Sequence, residues 1–291
     1  MNKTDVPLIK EYRINRQKKC LKCIYKYAFD RDKQKECILS LYHNRKERSS
    51  EHREKSIFRG MVIPSLRYLG LIVGYGDSIR ISANGKLIIE SEAMNSKLHE
   101  RVLRAVIYEV DKNIFHFIDF IKGLSSFPPR EIINKLCNKI SGPPDKQKRE
   151  RIRKFLSILE QVKLMNHSSQ KLSLNKKKYN QAIKDVDVSM KNIEDFKKCF
   201  FDAYFEVSKN TAGIADIVDI REKVSIQMLK EYKVIVTEDQ FDELLRGTPF
   251  ETEKYIISLG EPMGAEEKLF KYKGDYFRTL YIKTRKMGVT K

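Results

Sequence analysis

No run of 18 apolar residues occurs in this 291-residue sequence, so no stretch reads as a membrane-spanning helix. The opening MNKTDVPLIKEYR also lacks the apolar core of a secretory leader. A soluble, cytoplasmic protein without membrane partners is the expectation. Cysteine is scarce and odd in number, five in all, which without an export signal predicts reduced thiols. Cys20, Cys23, Cys37 and His43 include enough ligand types for zinc, yet the three cysteines sit beside Leu21, Ile24, Ile38 and Leu39 in helix-like sequence. Buried small apolar residues explain them better, and no cofactor is expected.

Catalytic signatures are missing as well. There is no Gly-rich phosphate loop and no His/Cys nucleophile set, and His43, His52, His99, His116 and His167 are scattered. His116, within IFHFIDF, reads as a core histidine. Glu266-Glu267-Lys268, with Asp242 upstream, is the one grouping that resembles the carboxylates and lysine of a magnesium nuclease, and a solvated turn is its simpler explanation.

What the sequence has is cationic charge. Lys and Arg number 58 against 39 Asp and Glu, a formal +19, so a polyanion is the expected partner. The excess is uneven: residues 188 to 270 hold 11 basic and 17 acidic side chains, and residues 271 to 291 hold seven and one. The whole +19 therefore falls on residues 1 to 187. With 41% hydrophobic residues, 15 Phe and 14 Tyr, the chain can fill two or three cores.

Ser49 to Glu90 is the most informative stretch. Ser49 and Ser50 can cap a helix in which Ile57, Met61, Val62, Leu66 and Leu69 share a face, leaving Arg53, Ser56, Arg59 and Arg67 on the other. Pro64 predicts a kink, Gly70 a helix end, and Leu71–Val73 and Ser78–Ser82 a hairpin about Gly74 to Asp77, carrying Tyr75 and Arg80. This reads as the recognition helix and wing of a winged helix. An ordinary helix and hairpin packed for stability is the alternative.

Upstream, residues 14 to 29 predict a basic helix with Ile14, Leu21, Ile24, Tyr25 and Ala28 inward, and Asp30 or Asp32 caps a second. Downstream, Ala83 opens a helix running past Leu98 toward Tyr108. The order then repeats: a helix at Ile114–Leu124, another from Pro128-Pro129, a turn at 142 to 145, a helix over residues 146 to 165, and a hairpin from Leu164 to Leu174 with Asn166 to Ser169 at its tip. Lys146, Lys148, Arg149, Arg151, Arg153 and Lys154 outnumber Glu150 in the third of these helices, which favours phosphate contact over a merely solvated face. Gln170–Tyr179, with Lys176 and Lys177, and Asp185–Ser189 read as hinges.

A third cycle starts at Asn192 with Phe196, Phe200, Phe201 and Tyr204, then helices capped by Asp219 and Thr237, then strands. Its helix before the hairpin displays Glu238, Asp239, Asp242 and Glu243, which would repel phosphate, while Arg278, Lys283, Arg285 and Lys286 at the end turn basic again.

FRGMVIPSLRYLGLI followed by IRISANGKLIIE, with Pro64, Gly70, Ser82 and Gly85-Lys86, is similar to the recognition region of type IIS restriction and nicking endonucleases of the FokI and AlwI kind. The match covers about 35 residues, the rest agreeing in element order alone. The resemblance implies three winged-helix-like subdomains that read duplex DNA through the major groove, and it carries over no active site.

The expectation is thus a mostly α (α+β) protein, a tandem array of three winged-helix-like domains over 1–108, 109–187 and 188–291. It would bind double-stranded DNA sequence-specifically through Arg53, Ser56, Arg59, Arg67, Tyr75, Arg80, Lys146, Lys148, Arg149, Arg153, Lys176 and Lys177. It would serve as the specificity component of a restriction or defence system, with a separate nuclease or methyltransferase subunit meeting the acidic third domain. A plasmid replication initiator or transcriptional regulator, and an unrecognised metal-dependent endonuclease or nickase, are the alternatives.

Overall fold

The computed structural model describes residues 7–42, 49–123, 127–140, 145–168, 170–261 and 268–285. The chain is mostly helical with small antiparallel sheets, and it forms two compact units. Unit one holds the residues up to Ile81 together with Ile88–Asp185, and unit two holds Ser82–Leu87 with the residues from Val186 onward. No helix among the described residues is long and apolar enough to cross a membrane.

Unit one opens with α1 (Ile14–Lys26), whose Ile14, Leu21 and Ile24 are buried. The inward stripe stops there: Tyr25 is 39% exposed and Ala28 lies beyond the helix, in an exposed turn. Asp30 Oδ1 accepts from Lys33 N (3.1 Å) and starts α2 (Arg31–Ser40). Cys23 of α1 and Cys37 of α2 are joined as a disulfide, Cα atoms 5.7 Å apart, which corrects the expectation of reduced thiols for this pair. Cys20, Cys137 and Cys199 are free and buried. The bond also removes two ligands from the zinc alternative, whose His43 lies outside the described residues.

The next helix is continuous but changes its winding. Ser49 Oγ accepts from His52 N (3.3 Å), α3 (Ser50–Arg53) begins, nine residues from Glu54 to Val62 wind as a π-helix, and α4 (Ile63–Tyr68) finishes. Pro64 gives the physical reason. It has no N–H, and its ring crowds the carbonyl four residues back, so the turns before it widen and Ile63 N reaches Phe58 O, five residues back. Gly70, at φ 66°, closes α4 with bonds from its own N to Arg67 O (2.8 Å) and from Leu71 N to Leu66 O (2.9 Å). The hairpin that follows is shorter than the sequence predicts, β1 (Ile72–Val73) pairing with β2 (Arg80–Ile81). In its turn Gly74 sits at φ 81°, where a Cβ would lie 2.1 Å from Ser78 O.

A single helix is expected from Ala83 to Tyr108, and two are found. Asn95 is extended and its Oδ1 accepts from Leu98 N (2.8 Å), so α5 (Ala83–Met94) ends and α6 (Ser96–Val110) restarts. The helix expected at Ile114 starts later, as α7 (Phe117–Lys122), because the buried Asp111 carboxylate accepts from Phe117 N (3.0 Å) and Ile118 N (2.9 Å). Burial pushes the Asp111 carboxyl up to about 7 despite those donors. His116 is half-buried with φ 55°, a turn residue rather than a core histidine.

After α8 (Pro129–Cys137), α9 (Asp145–Gln161) buries Ile152, Phe155, Leu156 and Leu159. A hairpin of β3 (Met165–Ser168) and β4 (Lys171–Leu174) follows. Asn166 to Ser168 lie in the strand rather than at the tip, since Asn166 pairs with Ser173 and His167 with Leu172; Ser169 is outside the described residues. Lys176 and Lys177 are not in a hinge. They begin α10 (Lys176–Val186), capped by Asn175, whose Oδ1 accepts from Lys178 N.

One segment ties the two halves of unit one together. The Glu11 side chain is buried; its carboxylate accepts from Arg13 Nε (3.0 Å), Arg13 Nη2 (3.1 Å) and the Tyr42 hydroxyl (2.7 Å). Glu11 N donates to Ser65 Oγ of α4 (3.0 Å), and Glu11 O accepts from Gln17 Nε2 of α1 (2.6 Å). Three residues on, Gln161 at the end of α9 accepts from Ile14 N and donates to Tyr12 O, both at 3.0 Å. Burial alone would raise the Glu11 carboxyl; the Arg13 and Tyr42 hydrogen bonds outweigh it and hold the group below the ordinary carboxylate value.

Unit two runs α11 (Ile193–Ser208), β5 (Ile214–Asp216), α12 (Ile217–Tyr232), α13 (Glu238–Gly247), β6 (Tyr255–Gly260), a β7 (Phe270–Tyr272) and β8 (Asp275–Phe277) hairpin, and β9 (Thr279–Thr284). Asp216, not Asp219, caps α12, its side chain accepting from Val218 N (2.9 Å). Thr237 and Gln240 form a reciprocal cap on α13. The sheet order is β5-β9-β6, and Tyr204 OH donates to Gly213 O (2.6 Å) and accepts from Ile282 N (2.9 Å), fixing α11 to both β5 and β9. The α7–β4 segment repeats this order, with a single bridge from Phe127 to Leu172 where unit two pairs β5 with β9. Between α1 and β2 a side chain does that work: Gln34 Nε2 donates to Tyr27 O and Ile79 O, both at 3.0 Å.

Glu11→Gln should lower the unfolding free energy at pH 7 by about 1.5–3 kcal/mol, the usual range for hydrogen bonds to a charged group. Because the folded carboxyl titrates below the unfolded one, its contribution is whole above about pH 5 and fades as pH falls through the lower folded value. Denaturant titrations at pH 7 and pH 4 check this; an equal loss at both would remove the carboxylate charge from the account. Cys37→Ser should cost about 3 kcal/mol, from the entropy of the loop that the disulfide closes. Thermal unfolding with and without dithiothreitol tests it, the reductant lowering the wild-type midpoint and leaving that of the variant in place.

Candidate nucleic-acid interface

The cationic residues fall into three groups, and the structure treats each differently. On the π-wound helix, Arg53 is half-buried and its Nη2 donates to Leu39 O (3.3 Å), while Ser56 and Arg59 are exposed. Arg59 is held by Glu54, with Nε at 2.9 Å and Nη2 at 2.6 Å from Oε1. That pair is five residues apart, the spacing the π-winding brings onto one side. The same winding turns Arg53, Ser56 and Arg59 off the common line that α-helical spacing predicts. The Arg59 and Lys35 partnerships hold the Glu54 carboxyl below its ordinary value.

At the first hairpin, Arg67 Nη2 donates to Gly74 O (2.5 Å) and its guanidinium lies 4.3 Å from the Tyr75 ring centre. Tyr75 is 60% exposed, and Arg80 is half-buried on β2.

The second group opens α9. Its buried stripe fixes the rotation of the helix and puts Lys146 and Arg153 in solvent, with Lys148 and Arg149 half-exposed. Glu150 takes Lys154 (2.5 Å), and among the described residues Lys146, Lys148, Arg149 and Arg153 form no salt bridge. Cations in the first turns oppose the helix dipole, at a cost of about 0.3–1 kcal/mol each, and Asp145 is the one acid there. An anion at this end would relieve that repulsion.

The third group, Lys176 and Lys177, is exposed at the start of α10. Asn175 N donates to Leu164 O (2.9 Å), which places these lysines beyond the far end of α9. A 17-residue helix spans about 25 Å, so the two clusters are spread along α9 rather than gathered at one point. Lys171 on β4 is exposed as well. Lys10, in the segment that Gln161 binds, is exposed and acts electrostatically on Glu150. Neither Lys10 nor Lys171 stands out in the sequence, since 140 residues separate Lys10 from Glu150 and their segments meet through the Gln161 bonds and the Lys154–Tyr12 contact.

Unit two presents the opposite case, and not in the way the sequence predicts. Glu238 is buried and paired with Lys268, and Asp242 binds Arg221, itself 2% exposed, at 2.6 Å. Only Asp239 and Glu243 of the four acids are displayed. Burial would raise the Glu238 carboxyl, but Lys268 and Arg221 bring it below its ordinary value. Asn84 Oδ1, from the short segment that belongs to this unit, accepts from Glu238 N (3.1 Å) at the mouth of α13. Arg278 pairs with Asp216 (3.0 Å) and Arg285 with Glu251, while Lys283 is exposed and Lys286 lies outside the described residues.

Of the four residues that resemble a magnesium-nuclease grouping, Glu266, Glu267, Lys268 and Asp242, the structure describes two. Lys268 and Asp242 are engaged with Glu238 and Arg221, Glu266 and Glu267 lie outside the described residues, and no group of three or more His, Cys, Asp or Glu among the described residues could hold a metal ion.

Comparison with known protein families, with curated proteins and with solved structures finds no match to this chain.

Proposed function

We propose that this protein binds double-stranded DNA, with α9 as its principal contact. The observation that carries the reading is the cationic face of α9: Lys146, Lys148, Arg149 and Arg153 form no salt bridge among the described residues, and Lys146 and Lys148 stand in the first turn, where the helix dipole disfavours them. The element order around it supports a winged helix. Helix, bridged residue, helix, helix and hairpin run from α7 to β4, and unit two repeats that order with a three-stranded sheet. On this reading α1 to β2 is a third such module, α9 is the helix presented to the major groove, and the β3–β4 hairpin with Lys171, Lys176 and Lys177 reaches the flanking backbone.

Sequence-specific binding as the specificity component of a restriction or defence system is part of the same proposal, and rests on the resemblance around Pro64 and Gly70. Unit two, whose α13 carries its acids at the dipole-favoured end and locks two of them in ion pairs, would then meet a separate nuclease or methyltransferase subunit rather than DNA.

Anisotropy of a labelled duplex between 50 and 200 mM salt tests the reading. Affinity should fall by about 10³ or more if six to ten phosphates are neutralised, and a flat response would end the proposal. Arg149→Ala should weaken preferred and scrambled duplexes alike and reduce the salt slope by about one. Arg59→Ala, which removes a guanidinium already held by Glu54, should cost less than Arg149→Ala on the preferred site, which duplex selection from a random pool would provide. A palindromic consensus from that selection would favour a symmetric regulator over successive modules on one asymmetric site.

A further inference from the structure

We infer that the Cys23–Cys37 bond is a thiol-operated switch that holds or releases α2, and with α2 the support on which the π-wound helix and the first hairpin rest. The two helices that the bond joins differ in what else holds them. α1 buries Ile14, Gln17, Cys20, Leu21, Cys23 and Ile24, and its Lys18 and Lys22 both reach Glu92 of α5 at 2.9 Å. α2, over the charged sequence RDKQKECILS, buries Gln34 and Ile38 alone. Buried apolar area is what keeps a helix closed on its neighbours, so in α2 a covalent tie supplies what packing supplies in α1.

The neighbouring elements take their position from α2. Leu39 O accepts from Arg53 Nη2 (3.3 Å) and Lys35 reaches Glu54 (3.5 Å), both on the helix that follows. Gln34 Nε2 donates to Ile79 O (3.0 Å), and Arg31 reaches Asp77 (3.8 Å) and lies over the Phe58 ring. Releasing α2 therefore loosens the helix that carries Arg53, Ser56 and Arg59, and the turn that enters β2. Tyr42, just beyond α2, stays bonded to Glu11 with Arg16 against its ring, so the released helix remains tethered and can close again.

The chemistry is thiol–disulfide exchange with a dithiol. Cys23 is 4% exposed and Cys37 half-buried, so the thiolate of the dithiol attacks at Cys37 Sγ, forms a mixed disulfide there and expels Cys23 as a thiolate that takes up a proton. The second sulfur of the dithiol then displaces Cys37, which is protonated in turn. Two electrons and two protons have passed to the cysteines, and the dithiol leaves as a disulfide. A disulfide oxidant such as oxidised glutathione runs the exchange backwards. Cys20, one turn before Cys23, does not compete, because burial pushes its thiol up to about 12 and keeps it protonated near neutral pH.

Backbone hydrogen exchange of the chain by itself tests the inference, so its outcome is separate from that of the DNA reading. Denatured and alkylated after treatment with oxidised glutathione, the chain should show three free thiols, and after dithiothreitol five. In the folded chain, reduction should speed exchange over residues 34 to 40 at least about tenfold more than in α6 and α9, with the β1–β2 pair following α2. Oxidised glutathione should restore the slow exchange. Cys37→Ser should exchange like the reduced chain and respond to neither reagent. Five thiols after the oxidant, or α2 exchange unchanged by the dithiol, overturns the inference. An equal rise across α2, α6 and α9 also overturns it, since the bond would then stabilise unit one as a whole and switch nothing.

Discussion

Unit one depends on a buried carboxylate with no spare lone pair to lose. Glu11 joins α1, Tyr42 just beyond α2, and α4 through its backbone and side chain, and the next residues of the same segment receive the end of α9 through Gln161. A charge removed from water persists only if its partners replace the hydration, and here Arg13 and Tyr42 do so. The arrangement explains how a short non-helical segment can organise helices more than a hundred residues away. It also anchors the last residue of α9, Gln161, on Tyr12 and Ile14.

The second organising constraint is the sign of charge against helix direction. α13 begins with Glu238 and Asp239, as a helix dipole favours, whereas α9 begins with Lys146, Lys148 and Arg149, as it does not. Two helices in the same position of a repeated element order thus carry opposite electrostatics. In α13 even the unfavourably crowded acids are absorbed, Glu238 by Lys268 and Asp242 by Arg221, leaving a locked surface. In α9 the described surroundings supply no such absorption. This contrast, more than net charge, distinguishes the two helices.

Sequence reading succeeds where the cause is local. Ser49, Asp30, Pro129, Gly70 and Thr237 mark helix ends because each bonds or bends the backbone within four residues of itself. It fails where the cause is distant or competes with a stronger local rule. The helical pattern from Ala83 to Tyr108 looks continuous, and the hydrogen bond from Leu98 N to the Asn95 side chain divides it. Asp111 delays α7 from six residues upstream, beyond any ordinary cap. The π-winding before Pro64 preserves the buried stripe of Ile57, Met61, Val62, Leu66 and Leu69, so the core was legible while the polar face was not. At the candidate interface the residue types were readable; which of them are taken by neighbours, as Arg59 is by Glu54, was not.

The bond between Cys23 and Cys37 has a topological effect as well as an energetic one. It turns the intervening residues into a closed covalent ring, with the exposed Ala28 and Phe29 on its rim. A protease that cut the backbone there would open the ring without releasing either piece, since the sulfur link would still join the two ends. Unit one would keep its first two helices as one molecule after such a nick, and the two fragments would part only when reduced and unfolded.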